Sequence, residues 1–170
     1  MPLYDGSLRG WLDYLKSAGR LLEWAGPCDP VYELAAIAKS NDGSAVLFDL
    51  SAGAAGGGAG TRSTGRRVVA NLAAGRDLLA SAIGCAPGRI ARALMAAAAD
   101  PVPCRSVTRE AAPTKARVME NPDLESLLPV PTFTPGDAGP YITGGILVSR
   151  HPVTGRLNAS VHRLQVMGPD

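Results

Sequence analysis

Leu8, Trp11, Leu12 and Leu15 recur at the three-and-four spacing of one helix face, directly behind Ser7, whose hydroxyl suits an N-cap. Gly19 then offers the left-handed position on which a helix can end. Asp29-Pro30 is a second start signal, a cap followed by the residue best suited to the first helical position, with Leu34, Ile37 and Ala38 as its apolar face. Ala45-Val-Leu-Phe-Asp-Leu50 is a short apolar run of the kind a buried strand shows, and Arg67 to Leu72 reads as another. Two helices are expected over about 76–83 and 89–98, separated by Gly84 and Pro87-Gly88. This order of helices and strands predicts an α/β layer.

The chain changes character from Asp100. Pro101, Pro103, Pro113, Pro122, Pro129, Pro131 and Pro135 punctuate it, so no long helix can persist, and Leu124, Leu127 and Leu128 predict one brief helical turn. Tyr141 to Arg150 is mostly β-branched and apolar, Pro152 to Gly155 is turn chemistry, and Leu157 to Val166 alternates, which together predict a β-hairpin. The expected division is an α/β domain over 1–115, a proline-rich crossing segment over 116–139, and a hairpin over 140–170. On a regular second strand Asn158, Ser160 and His162 share one face. Arg163 falls by parity with Leu157, Ala159 and Val161, so it joins the polar row only if a bulge or bend re-aims it.

Composition narrows the function classes. The chain is 46% hydrophobic and 19% charged with a net charge of +2, enough apolar material for a core and too little charge for a disordered tail. No basic stripe with interleaved aromatics is present, so no nucleic-acid partner is expected. Cys28, Cys85 and Cys104 are far apart with no metal-type spacing, which predicts a reducing, cytoplasmic setting. No apolar run approaches the roughly 20 residues that span a bilayer, so no membrane partner is expected. Gly60-Thr-Arg-Ser-Thr-Gly65 has the outer spacing of a phosphate loop but lacks its Lys-Ser/Thr pair, and is read as a surface loop.

Tyr141-Ile-Thr-Gly-Gly, followed by Pro152-Val-Thr-Gly-Arg-Leu-Asn158-Ala-Ser-Val-His-Arg163, resembles the signature of the UbiD-type reversible decarboxylases, which use prenylated FMN. The likeness extends along the chain through Leu8-Arg-Gly-Trp-Leu12, Asp29-Pro-Val-Tyr-Glu33, Ala45-Val-Leu-Phe-Asp49, Asn71-Leu72 with Arg76, Leu127-Leu-Pro-Val-Pro-Thr132 and Pro135-Gly-Asp137. His151 departs from the pattern, standing where the family commonly has an acid before the turn proline.

The resemblance implies an α/β (α+β) fold in which the N-terminal domain is followed by the opening strands of a flavin-binding split β-barrel. It implies that Asn158 helps ligate a divalent ion, Mn²⁺ with K⁺ as a candidate further ion, at the cofactor phosphate. By the same resemblance Ser160, Val161 and His162 line the cofactor, Thr143 lies near the pocket, and Arg163 is the catalytic arginine that orients the substrate carboxylate. Such enzymes act on aromatic or α,β-unsaturated acids and are expected to be homo-oligomers. The family's remaining metal ligands and both catalytic glutamates correspond to positions beyond Asp170. The 170 residues alone are therefore expected to be inactive and to retain little flavin. The alternatives are a short non-catalytic interaction or flavin-handling protein built on this domain, and a flavin-binding split-barrel protein of unrelated activity.

Overall fold

The computed structural model describes residues 4–50 and 67–168. The phosphate-loop-like run at Gly60 to Gly65 lies outside the described residues. The elements are α1 (Leu8–Ser17), β1 (Leu21–Trp24), α2 (Glu33–Ser40), β2 (Ala45–Asp49), β3 (Arg67–Ala70), α3 (Gly75–Ile83), α4 (Ile90–Ala99), α5 (Leu124–Leu127), β4 (Tyr141–Arg150) and β5 (Leu157–Gln165). Short 3₁₀ turns cover Pro87–Arg89 and Pro113–Lys115. One sheet has the order β1-β2-β3, and β4 and β5 form a second. This is the mixed α/β architecture that the helix and strand patterns predict.

By contacts the described residues form two units, each discontinuous: 4–23, 41–47 and 69–121 in one, 24–40, 48–50, 67–68 and 122–168 in the other. The division expected from the sequence is contiguous, and it differs in placing residues 24–40 with α1. In the structure they group with the hairpin. A main-chain connection explains this: Val31 forms a parallel bridge to Thr132, with Tyr32 N–H donating to the Thr132 carbonyl at 2.9 Å and Thr132 N–H to that of Pro30 at 3.2 Å.

In the first unit α1 starts where expected, the Ser7 hydroxyl accepting the Gly10 amide at 3.0 Å. Its inward face brings Trp11 and Leu15 onto Ala45 and Leu78, with Tyr4, Tyr14, Leu21 and Leu72 packed around them. The Trp11 ring nitrogen donates to the Leu72 carbonyl at 2.9 Å, so the buried indole leaves no donor unpaired. Gly84 ends α3 at φ +79°, a left-handed position that glycine occupies without strain.

In the second unit the helix expected at Asp29-Pro30 begins at Glu33 instead. Tyr32 has φ +69°, and Val31 is committed to Thr132, so neither continues a helix. Asp29 still acts at the helix entry. Its carboxylate accepts Val31 N–H at 2.8 Å, and the Glu33 carboxylate reaches back to Asp29 N–H at 2.7 Å. β4 and β5 pair antiparallel from Tyr141–Gln165 to Arg150–Leu157. The hairpin starts against the crossing segment, Tyr141 N–H donating to the Pro131 carbonyl and Val166 N–H to that of Pro140.

Among the described residues no single helix is long and apolar enough to cross a membrane; α3 and α4 together reach that length and composition but are bent by 74°.

Candidate functional site on the hairpin

The turn between β4 and β5 is organised by His151. Its Nδ1 accepts the amides of Val153 (3.2 Å) and Thr154 (3.1 Å), and the Arg150 guanidinium donates to the Gly155 carbonyl at 2.8 Å. Nδ1 takes the acceptor role that a carboxylate oxygen would take at this position. Asn158 lies just beyond, in a shallow depression it shares with Arg150, Thr154 and Arg156.

Strand alternation then sorts the candidate residues by face. Asn158, Ser160 and His162 stand on one face, opposite Ser149, Leu147 and Gly145 of β4. Ser160 Oγ lies 2.9 Å from His162 Nε2, which shows directly that these two share that face. The other face carries Leu157, Ala159 and Val161, paired with Arg150, Val148 and Ile146. It is an apolar stripe, and it is open: Val161 is 73% exposed and Ile146 66%.

Arg163 belongs to this second face. A register shift does occur beside it, but in β4: between the pairs Ile142–Leu164 and Gly145–His162, two residues, Thr143 and Gly144, oppose Arg163 alone. The irregularity lies in β4 and leaves β5 regular, so it does not re-aim Arg163 onto the face of Asn158, as joining the polar row would require. Such a bulge increases local twist. The Arg163 guanidinium sits 5.0 Å above the centre of the Tyr141 ring, and its Nη1 is 3.8 Å from Asp137 Oδ1. Tyr141 in turn bonds through its hydroxyl to the Gln165 side-chain oxygen at 3.1 Å.

The structure thus brings together Asn158, Ser160 and His162, places Val161 and Arg163 on the reverse face, and sets Thr143 in the bulge across from Arg163. Sequence reasoning did not identify Asp137 and Tyr141 as partners of Arg163. Their only local signals are an acid in a Pro-Gly-Asp turn and an aromatic residue opening a strand.

Comparison with known proteins gives the chain a family. Residues 12–98 match the 3-octaprenyl-4-hydroxybenzoate carboxy-lyase N-terminal domain, and residues 105–170 match the Rift-related domain of the same enzymes. The chain belongs to the UbiD family. It is 32% identical over 162 residues to an anhydromevalonate phosphate decarboxylase of Methanosarcina mazei, covering 95% of this chain and 34% of that protein. Among solved structures it is similar to an evolved dimeric form of the UbiD-class enzyme HmfF from Pelotomaculum thermopropionicum in complex with prFMN. That match has 42% identity and a TM-score of 0.85, over 98% of this chain and 37% of the other. The apo 3,4-dihydroxybenzoic acid decarboxylase of Klebsiella pneumoniae matches at 27% identity and a TM-score of 0.78, over 96% of this chain and 35% of that one. The chain spans about a third of the length of these relatives.

Proposed function

We propose that this chain contributes the cofactor strand of a reversible decarboxylase acting on aromatic or α,β-unsaturated carboxylic acids, with prenylated FMN as cofactor. The observation that carries the reading is the polar row of exposed Asn158 and His162 with half-buried Ser160 between them, in a segment that matches the family's Rift-related domain. An amide, a hydroxyl and an imidazole supply donors suited to a phosphate, and Arg150 and Arg156 share the depression that Asn158 lines.

The same surroundings do not by themselves suit a cation. Among the described residues no group of three His, Cys, Asp or Glu could hold a metal ion, and the side chains sharing the depression with Asn158 include two arginines. Asn158 alone is a neutral single ligand, so these residues do not make a Mn²⁺ or K⁺ site.

When bound, prenylated FMN supplies the centre that accepts the electron pair released as carbon dioxide leaves. The protein's part is position and charge. In the described sheet β5 pairs only with β4, and Asn158 on one face and Val161 and Arg163 on the other both border its free edge. There the Arg163 guanidinium offers a planar fork to a substrate carboxylate. Val161 and Ile146 offer apolar surface to the rest of the acid. A cytoplasmic location accords with Cys28, Cys85 and Cys104 being free thiols, and homo-oligomeric assembly with the dimeric form of the HmfF relative.

The test is made on the whole protein, co-expressed with a flavin prenyltransferase and assayed for carbon dioxide release and for isotope exchange into the substrate carboxyl. Asn158→Ala is expected to purify with much less flavin. Arg163→Lys is expected to keep the flavin and lose at least about tenfold in kcat/KM, the size of one lost charge-assisted hydrogen bond. Full flavin content in Asn158→Ala, together with full activity in Arg163→Lys, would overturn the reading.

A further inference from the structure

We infer that Asp137 and Tyr141 are positioning residues that hold the Arg163 guanidinium in one orientation before any ligand arrives. The inference rests on the reading of Arg163 as the carboxylate-binding group, and it deepens that reading by naming what aims it.

Arg163 starts from a poor position for an aimed group. Its side chain is 67% exposed, near the C-terminal end of β5 in a two-stranded sheet, where a free arginine would sample many rotamers. Two features oppose that freedom. The Tyr141 ring lies under the guanidinium at 5.0 Å, a cation–π contact that restrains its plane. Asp137 faces its edge, with Oδ1 3.8 Å from Nη1.

Both partners are themselves fixed. The Asp137 side chain is only 16% exposed, its Oδ2 accepts the Thr134 amide at 3.1 Å, and its own amide donates to the Thr134 carbonyl at 3.0 Å. Tyr141 is tied through its hydroxyl to Gln165, the residue facing it across the ladder. A carboxylate held by its own turn and a ring held by its own strand pair are rigid references. At 3.8 Å the ion pair is long enough to leave guanidinium donors for an incoming carboxylate, which a tight bidentate pair would not.

The test uses the 170-residue chain without flavin or substrate. Rotation of the Arg163 guanidinium about its Nε–Cζ bond is measured by nitrogen-15 exchange spectroscopy, with Arg156 in the exposed turn as the freely rotating reference. Asp137→Asn keeps an oxygen for the Thr134 amide but removes the charge facing Arg163, so the turn survives and the restraint does not. Tyr141→Phe keeps the ring and Tyr141→Leu removes its face.

In the unsubstituted chain Arg163 should rotate more slowly than Arg156. Asp137→Asn and Tyr141→Leu should each speed it roughly fivefold, the factor for about 1 kcal/mol, and Tyr141→Phe should change it little. Equal rates for Arg163 and Arg156 in the unsubstituted chain, or no change in either loosening variant, would overturn the inference. Because no ligand is present, such a failure is independent of the flavin and turnover assays that test the function itself.

Discussion

Ser160 Oγ and His162 Nε2 lie 2.9 Å apart on the polar face of β5, a contact between alternate residues on one side of an extended strand. The pair is exposed, so its worth lies in orienting donors rather than in stability. Ser160→Ala should shift the ring nitrogen resonances of His162 while changing unfolding free energy by no more than about 0.5 kcal/mol. A nitrogen-15 spectrum of the imidazole side chains and a urea titration would check both.

The turn makes a separate prediction. His151 Nδ1 takes the amides of Val153 and Thr154, so an acidic residue there should serve as well. His151→Asp should keep both amides protected from solvent exchange. His151→Ala should leave them open, with exchange faster by roughly an order of magnitude, the equivalent of one net hydrogen bond.

How much of this was legible in the sequence depends on how local each cause is. α1 was legible because Ser7 and the apolar spacing lie within it, and the hairpin because Pro152 to Gly155 and the alternation of β5 are adjacent. β1 was not, since Leu-Leu-Glu-Trp is four residues without alternation. The delayed start of α2 comes from Thr132, about one hundred residues away, and nothing near Asp29 records that pairing. The polar row of the site follows from parity alone. The partners of Arg163 do not, because they depend on an extra residue in β4, and no local rule fixes where a ladder slips.

The buried centre of the first unit should carry much of its stability. Leu15 is fully buried and packs with Trp11, Ala45 and Leu78. Leu15→Ala should cost about 2–5 kcal/mol, the transfer and cavity terms together. Chemical denaturation followed by tryptophan fluorescence, with Trp24→Phe leaving Trp11 as the reporter, measures this, and a loss under about 1 kcal/mol would mean the core relaxes around the gap.

Burial pushes the Cys28 thiol up to about 11 from its ordinary value near 9.0, with Glu33 and Asp29 adding to the shift. The folded state therefore keeps the proton longer than the unfolded chain does. The stabilising contribution is whole below about pH 9 and is lost as pH rises through about 11. Stability should fall with pH across that window, and Cys28→Ser should flatten the fall. At pH 8 iodoacetamide should label exposed Cys104 well before Cys28.

The last prediction concerns the 170 residues on their own. The described residues give a metal no cluster of ligands beyond the Asn158 amide, so co-expression with a prenyltransferase should leave this chain with little flavin and no turnover. Its apolar hairpin stripe has a different consequence. Val161, Ile146 and Val148 are 73%, 66% and 63% exposed, and among the described residues β5 pairs only with β4, so another strand can add there. The chain should self-associate through this surface, giving a concentration-dependent mass by light scattering. The double substitution Ile146→Thr and Val161→Thr keeps the β-branched shape that strands favour and removes apolar area from one cross-strand pair. It should shift the chain toward monomer with the hairpin amides unchanged. A monomer at all concentrations before substitution, or stoichiometric flavin with carbon dioxide release, would show that these residues are more self-sufficient than their exposed surfaces indicate.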